Sequence, residues 1–165
     1  MHVIRRGFLF AALTAAALSA RSADVPAAGG VRVIRTYSGW RDAPSFKRIS
    51  EYFTGRENTG GEIVLRTHPD ERGGYYFLVR MANDGAPVAA RIVLHVVTPD
   101  SATPRTFTFN TTLPGRESVL DLGLTGADWP DLKINAVAWR FDVLDGAGQI
   151  LATGKSYLWD KPAGA

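Results

Sequence analysis

Between Val31 and Trp159 the hydrophobic positions recur mainly with a period of two. Phe77, Val79 and Met81 alternate with Tyr76, Leu78 and Arg80. Ile92, Leu94 and Val96 share one face of residues 91–98, and Phe107 and Phe109 alternate with Thr106, Thr108 and Asn110. Leu120, Leu122 and Leu124 alternate with Asp121 and Gly123, and Val137, Trp139, Phe141 and Val143 alternate with Ala138, Arg140 and Asp142. This is the pattern of half-buried antiparallel strands, apolar on one face and polar on the other. Further strands are expected over 31–37, 62–67 and 149–159. Asn83-Asp84-Gly85 and Asp145-Gly146-Ala147-Gly148 read as hairpin connections. Thr98-Pro99-Asp100-Ser101, Leu113-Pro114-Gly115 and Arg72-Gly73-Gly74 read as turns or short loops.

About eight short strands in one domain predict an all-β fold, an antiparallel two-sheet sandwich of immunoglobulin-like or fibronectin-III-like arrangement. A closed barrel is the alternative. The chain has no Cys, so it lacks the Cys-Trp-Cys spacing of true immunoglobulin domains. A sandwich of this kind hosts many functions and specifies none.

One segment breaks the period. In 43–54, APSFKRISEYFT, Phe46, Ile49 and Phe53 are spaced i, i+3, i+7, while Lys47, Arg48 and Glu51 fall on the other side. Asp42 suits the N-cap, Pro44 the first turn and Gly55 the C-terminal stop. The spacing predicts a short amphipathic helix after the first strand. Three turns are too short to stand alone, so Phe46, Ile49 and Phe53 are expected to plug against the sheet body. Just before it, Tyr37 and Trp40 flank a bend at Gly39; they either cap one end of the sandwich or form an exposed aromatic platform.

The ends of the chain add a destination. Arg5 and Arg6, an apolar run over 7–18 and small residues over 19–23 have the layout of a cleaved secretory signal peptide. The apolar run is too short to span a bilayer. Arg5-Arg6-Gly7-Phe8-Leu9 resembles the core of a twin-arginine signal, but its flanking residues do not complete the pattern, so the general secretory route is the expected one. Without Cys there is no lipid attachment site of the lipobox type. Residues 24–30 form a flexible lead-in, 31–160 the domain and 161–165 a frayed tail.

Removing the signal also changes the charge. The formal +3 is supplied by Arg5, Arg6 and Arg21, which leaves the remainder balanced. No nucleic-acid footprint is left, and no disulfide can staple the domain.

Candidate chemistry is sparse. His68 and His95 have no metal-ligand spacing. Ser38, Ser45, Ser118 and Ser156 lack a nucleophile-elbow context, and no phosphate-cradling glycine loop is present. Glu51, Glu57, Glu62, Asp70, Glu71, Asp121 and Asp142 are available, but nothing in the sequence pairs two of them across a cleft as glycoside hydrolysis requires. Asp121 and Asp142 read as outward strand positions, solvated or ion-paired. Asn110-Thr111-Thr112 matches a glycosylation sequon.

The expected function is that of an exported, soluble, non-catalytic interaction or assembly module, periplasmic or extracellular. It would work on a protein partner through a strand edge or an aromatic patch, with no cofactor and no metal. The alternative is carbohydrate binding, with Tyr37, Trp40 and Trp129 as stacking residues; a hydrolase using paired carboxylates is the third. If these tryptophans are scaffold instead, Trp139 is expected in the core, Trp159 at the sheet edge and Trp129 as a plug of the sandwich end.

Overall fold

The computed structural model describes residues 30–160; the signal-peptide and tail assignments lie outside them. Eight strands form two sheets: β1 (Val31–Arg41), β2 (Ile63–Arg66), β3 (Gly74–Asn83), β4 (Val88–Thr98), β5 (Ser101–Leu113), β6 (Ser118–Thr125), β7 (Ala138–Leu144) and β8 (Ile150–Lys155). The first sheet runs β1-β3-β6-β2 and the second β5-β4-β7-β8. The fold is the expected two-sheet sandwich, not a closed barrel. All pairings are antiparallel except β2 with β6, which is parallel.

The alternation places the core between the sheets. Phe77, Val79, Met81, Leu120, Leu122 and Leu124 line it from the first sheet, and Ile92, Leu94, Val96, Phe109, Phe141 and Val143 from the second. Trp139 packs parallel to Phe141, ring centroids 5.9 Å apart. Two close approaches use glycine. Tyr76 lies over its cross-strand partner Gly123, and Phe141 over Gly154; a Cβ at either glycine would sit 2.5 Å or less from the ring. Each glycine therefore serves as the floor for an aromatic neighbour.

Three local expectations change. Asn83-Asp84-Gly85 does not close a hairpin: β3 and β4 belong to different sheets. Asn83, itself buried, turns this corner by accepting from the Gly85 amide and donating to the Ala86 carbonyl. The last strand, expected over 149–159, stops at Lys155, so Tyr157 and Trp159 lie in a turn.

The third change is the helix. Residues 43–54 are two short pieces, a 3-10 turn over Ala43–Phe46 and α1 over Ile49–Thr54. Asp42 caps the first through Ser45, and Gly55, at φ 66°, ends the second. Lys47 and Arg48 between them are extended. Two extended residues destroy the 100° phase that would have kept Phe46, Ile49 and Phe53 on one stripe.

Candidate functional site

The segment between β1 and β3, apart from β2 itself, lies against the outer face of the first sheet, at the end where β1 leaves and β3 enters. Phe46 is its apolar anchor. Its ring is 4.7 Å from that of Tyr76, and the Arg41 guanidinium lies over it, 4.1 Å from the ring centroid. Tyr76 thus points away from the sandwich interior yet is fully buried.

α1 is held by its polar side. The Glu51 side chain is only 8% exposed and is paired with Arg72 at 2.7 Å. Glu51 also accepts from the backbone amides of Asn58 and Arg48. The Arg72 hydrogen bond, then the Asn58 amide, hold its carboxyl below the usual carboxylate range. Beside it, Glu57 takes two hydrogen bonds from Arg66, at 2.6 and 3.0 Å, which likewise lower its pKa. The Tyr76 hydroxyl joins the two pairs: it accepts from Arg66 Nε at 2.8 Å and donates to the Arg72 carbonyl at 2.7 Å.

The apolar side of α1 faces water. Ile49, Tyr52 and Phe53 are 79%, 76% and 85% exposed. Their spacing, i, i+3, i+4, makes them one contiguous ridge on the helix. Lys47 Nζ lies 6.0 Å from the Tyr52 ring. The helix is amphipathic, as the sequence indicates, but mounted the other way round. The expected plug is therefore corrected for Ile49 and Phe53, and holds for Phe46 alone.

Asp121 lies two residues before Gly123, on the same outer face. It is 1% exposed and is met by Arg41 at 3.0 Å. Its Oδ1 has no hydrogen-bond partner. Burial, then repulsion from Glu62, pushes its pKa up to about 6 against the opposing pull of Arg41. The expected solvated or simply ion-paired carboxylate is thus a buried one, covered because the inserted segment and Arg41 roof this part of the sheet. A cavity of about 110 Å³ beside it is lined by Arg41, Phe46, Arg48, Glu57 and Glu62 among others.

The aromatic residues chosen from sequence do not converge. Trp129 is 2% exposed, stacks on Tyr75 at 4.5 Å and donates its indole N–H to the Ile134 carbonyl. It plugs the sandwich, the scaffold role expected for it, and is too buried to stack on a ligand. Trp40 is half-buried on the inner face of β1, opposite Tyr75 and against the core. Tyr37 lies on the outer face opposite Leu78, is 59% exposed and accepts a hydrogen bond from Arg35 at 2.6 Å. It lines a shallow groove of about 420 Å³ with Ile34, Leu78, Arg80 and Val119.

The remaining candidates are dispersed. His68 shares a hydrogen bond with the Thr125 carbonyl at the end of β6, whereas His95 bonds Thr106 on the outer face of the second sheet. Asp142 is engaged by Arg140 and Thr153. Among the described residues no group of three or more His, Asp or Glu could hold a metal ion, and no helix is long and apolar enough to cross a membrane.

Compared with models of known protein families, the chain matches none, and no curated protein matches its sequence.

Proposed function

We propose that the chain is an exported, non-catalytic interaction module that docks a protein partner on the apolar ridge of α1. The observation that carries this reading is the inverted mounting of the helix. A helix free to choose would turn Ile49, Tyr52 and Phe53 inward and Glu51 outward; here ion pairs to Arg72 and hydrogen bonds to Asn58 hold the reverse. Exposed large apolar side chains that are contiguous and rimmed by polar residues mark interaction sites, and a helix face read at i, i+3, i+4 is a standard way to fill a partner's apolar groove. Aromatic side chains concentrate binding energy in such contacts.

Export is supported by the N-terminal pattern of Arg pair, apolar run and small residues. The carbohydrate alternative loses one of its three stacking residues, because Trp129 is inside. The carboxylate alternative finds Glu51 and Glu57 tied to arginines and Asp121 closed off from solvent; hydrolysis needs two carboxyls that face a cleft in different protonation states.

The test is site-specific photocrosslinking in cells that export the protein. A photoreactive phenylalanine analogue at Phe53 should capture one discrete protein species. The same probe at Ala147, in the turn at the opposite end of the sandwich, should not. Absence of a discrete species at position 53, with the protein folded and exported, would overturn the reading.

A further inference from the structure

A sandwich of two open sheets has four edges, and three of them carry features that discourage further strand pairing. β1 has Arg32, Arg35 and Arg41 and a register break between Val33 and Arg35. It also lies alongside β8 across the sandwich. β2 is four residues long and includes Arg66. β8 is six residues long, ends in Gly154 and Lys155, and begins at a register break. Charge, shortness and bulges are the usual means by which edges avoid adding strands.

β5 is the exception. It is the longest strand, 13 residues, with one hydrogen-bonded neighbour, β4. Its first half is guarded by Pro104 and by Arg105, which bonds Asp128. Its second half, Thr106–Leu113, reads TFTFNTTL and has no charge, no Pro and no Gly. Its register with β4 is unbroken from Val88↔Leu113 to Val96↔Arg105. Phe107 and Phe109 turn towards the core, and Thr106, Thr108, Asn110 and Thr112 are exposed. A groove of about 360 Å³ is lined by Thr108–Asn110 on one side and by Val64–Arg66 of β2 and Pro69 of the loop after it on the other, and no strand pairs with β5 on its outer side.

We infer that the second half of β5 is a self-association edge: it pairs antiparallel with β5 of a second copy, joining two four-stranded sheets into one of eight. The absence of charge selects a second copy over a different protein. In a two-fold contact the same patch meets itself, so any charged residue near the axis would face its own sign, and like charges directly opposite destabilise a strand pair. A segment of Thr, Asn and inward Phe has no such conflict, and threonines paired across antiparallel strands can hydrogen-bond to each other. This edge is distinct from the α1 ridge, which lies on the first sheet.

The experiment is sedimentation or light scattering of the mature full chain at about 100 μM, where micromolar self-association is essentially complete. The wild type should be a dimer. Thr108→Lys with Asn110→Lys should give a monomer with unchanged circular dichroism, which at this concentration requires the dissociation constant to rise about a thousandfold, into the millimolar range. Mixing that variant with Thr108→Glu/Asn110→Glu should restore a dimer containing one of each, a result that a mere folding defect cannot produce. Phe53→Gln should leave the dimer intact. A monomeric wild type, a dimer indifferent to the Lys pair, or an open-ended aggregate in place of a closed dimer would overturn the proposal.

Discussion

The sandwich interior and the segment between β1 and β3 contain the same kinds of residue and use them in opposite senses. In the interior, apolar side chains face each other and polar ones face water. In the segment, Glu51, Glu57, Arg66 and Arg72 face the body, and Ile49, Tyr52 and Phe53 face out. Phe46 and Phe53 make the contrast within a few residues of chain. One closes over Tyr76; the other has almost no cover. Hydrophobic burial is non-directional and organises the sheets. Oriented ion pairs and caps, which fix direction more than they add stability, organise the helix.

This contrast can be broken first at its strong side. Phe141 is fully buried, and Phe141→Ala should cost about 3–5 kcal/mol in urea unfolding. An unchanged midpoint would refute the register of β7.

Asp121 comes next, because it is a polar group treated as if it belonged to the interior. Its native pKa of about 6 is above the unfolded value of 3.8. The folded state therefore holds the proton more tightly. This group's contribution to stability is greatest below about pH 4, falls between pH 4 and 6 and is constant above. Asp121→Asn should accordingly stabilise the protein at pH 7 by about 2–3 kcal/mol, the equivalent of two pKa units. The gain should shrink to little at pH 4. Glu51 and Glu57, with lowered values, work in the opposite sense and lose their contribution as pH falls through their folded pKa values; the difference between wild type and variant isolates Asp121. An equal effect of the substitution at both pH values would contradict the burial argument.

Gly123→Ala is a smaller perturbation at the boundary of the two regions. The added Cβ would meet the Tyr76 ring at 2.5 Å. Displacing that ring disturbs the hydroxyl that links Arg66 to Arg72. The expected cost is about 1–3 kcal/mol, with faster amide exchange in α1. A rise in stability would show that Tyr76 is not pinned as described.

The same contrast explains what the sequence discloses. The strands were legible because a period of two, set by the pleat, needs no tertiary information. The hairpin at 145–148 was legible from its glycines, with Gly148 at φ 82°. The caps Asp42 and Gly55 were legible too. The direction in which α1 faces was not, because Lys47 and Arg48 become extended, and no local pattern records that loss of phase. Nor does alternation reveal that the outward positions Tyr76 and Asp121 are roofed by a segment inserted elsewhere. One signal was available. Gly123, opposite an aromatic in a sheet face called polar, marks a place where something lies close to the backbone. For Trp129 the sequence left two readings, a stacking residue in a loop or a plug of the sandwich end; its stacking on Tyr75 gives the plug.

The most direct test of the account is the stability of a chain whose α1 ridge is made polar. Ile49, Tyr52 and Phe53 are replaced together by Gln, which keeps helix propensity, and urea unfolding is compared with the wild type at neutral pH. Exposed side chains contribute little to folding, so the free energy of unfolding should change by no more than about 0.5 kcal/mol. A loss of several kcal/mol, the size expected for emptying a core, would mean that these residues pack inward and that the helix is the plug its spacing suggests.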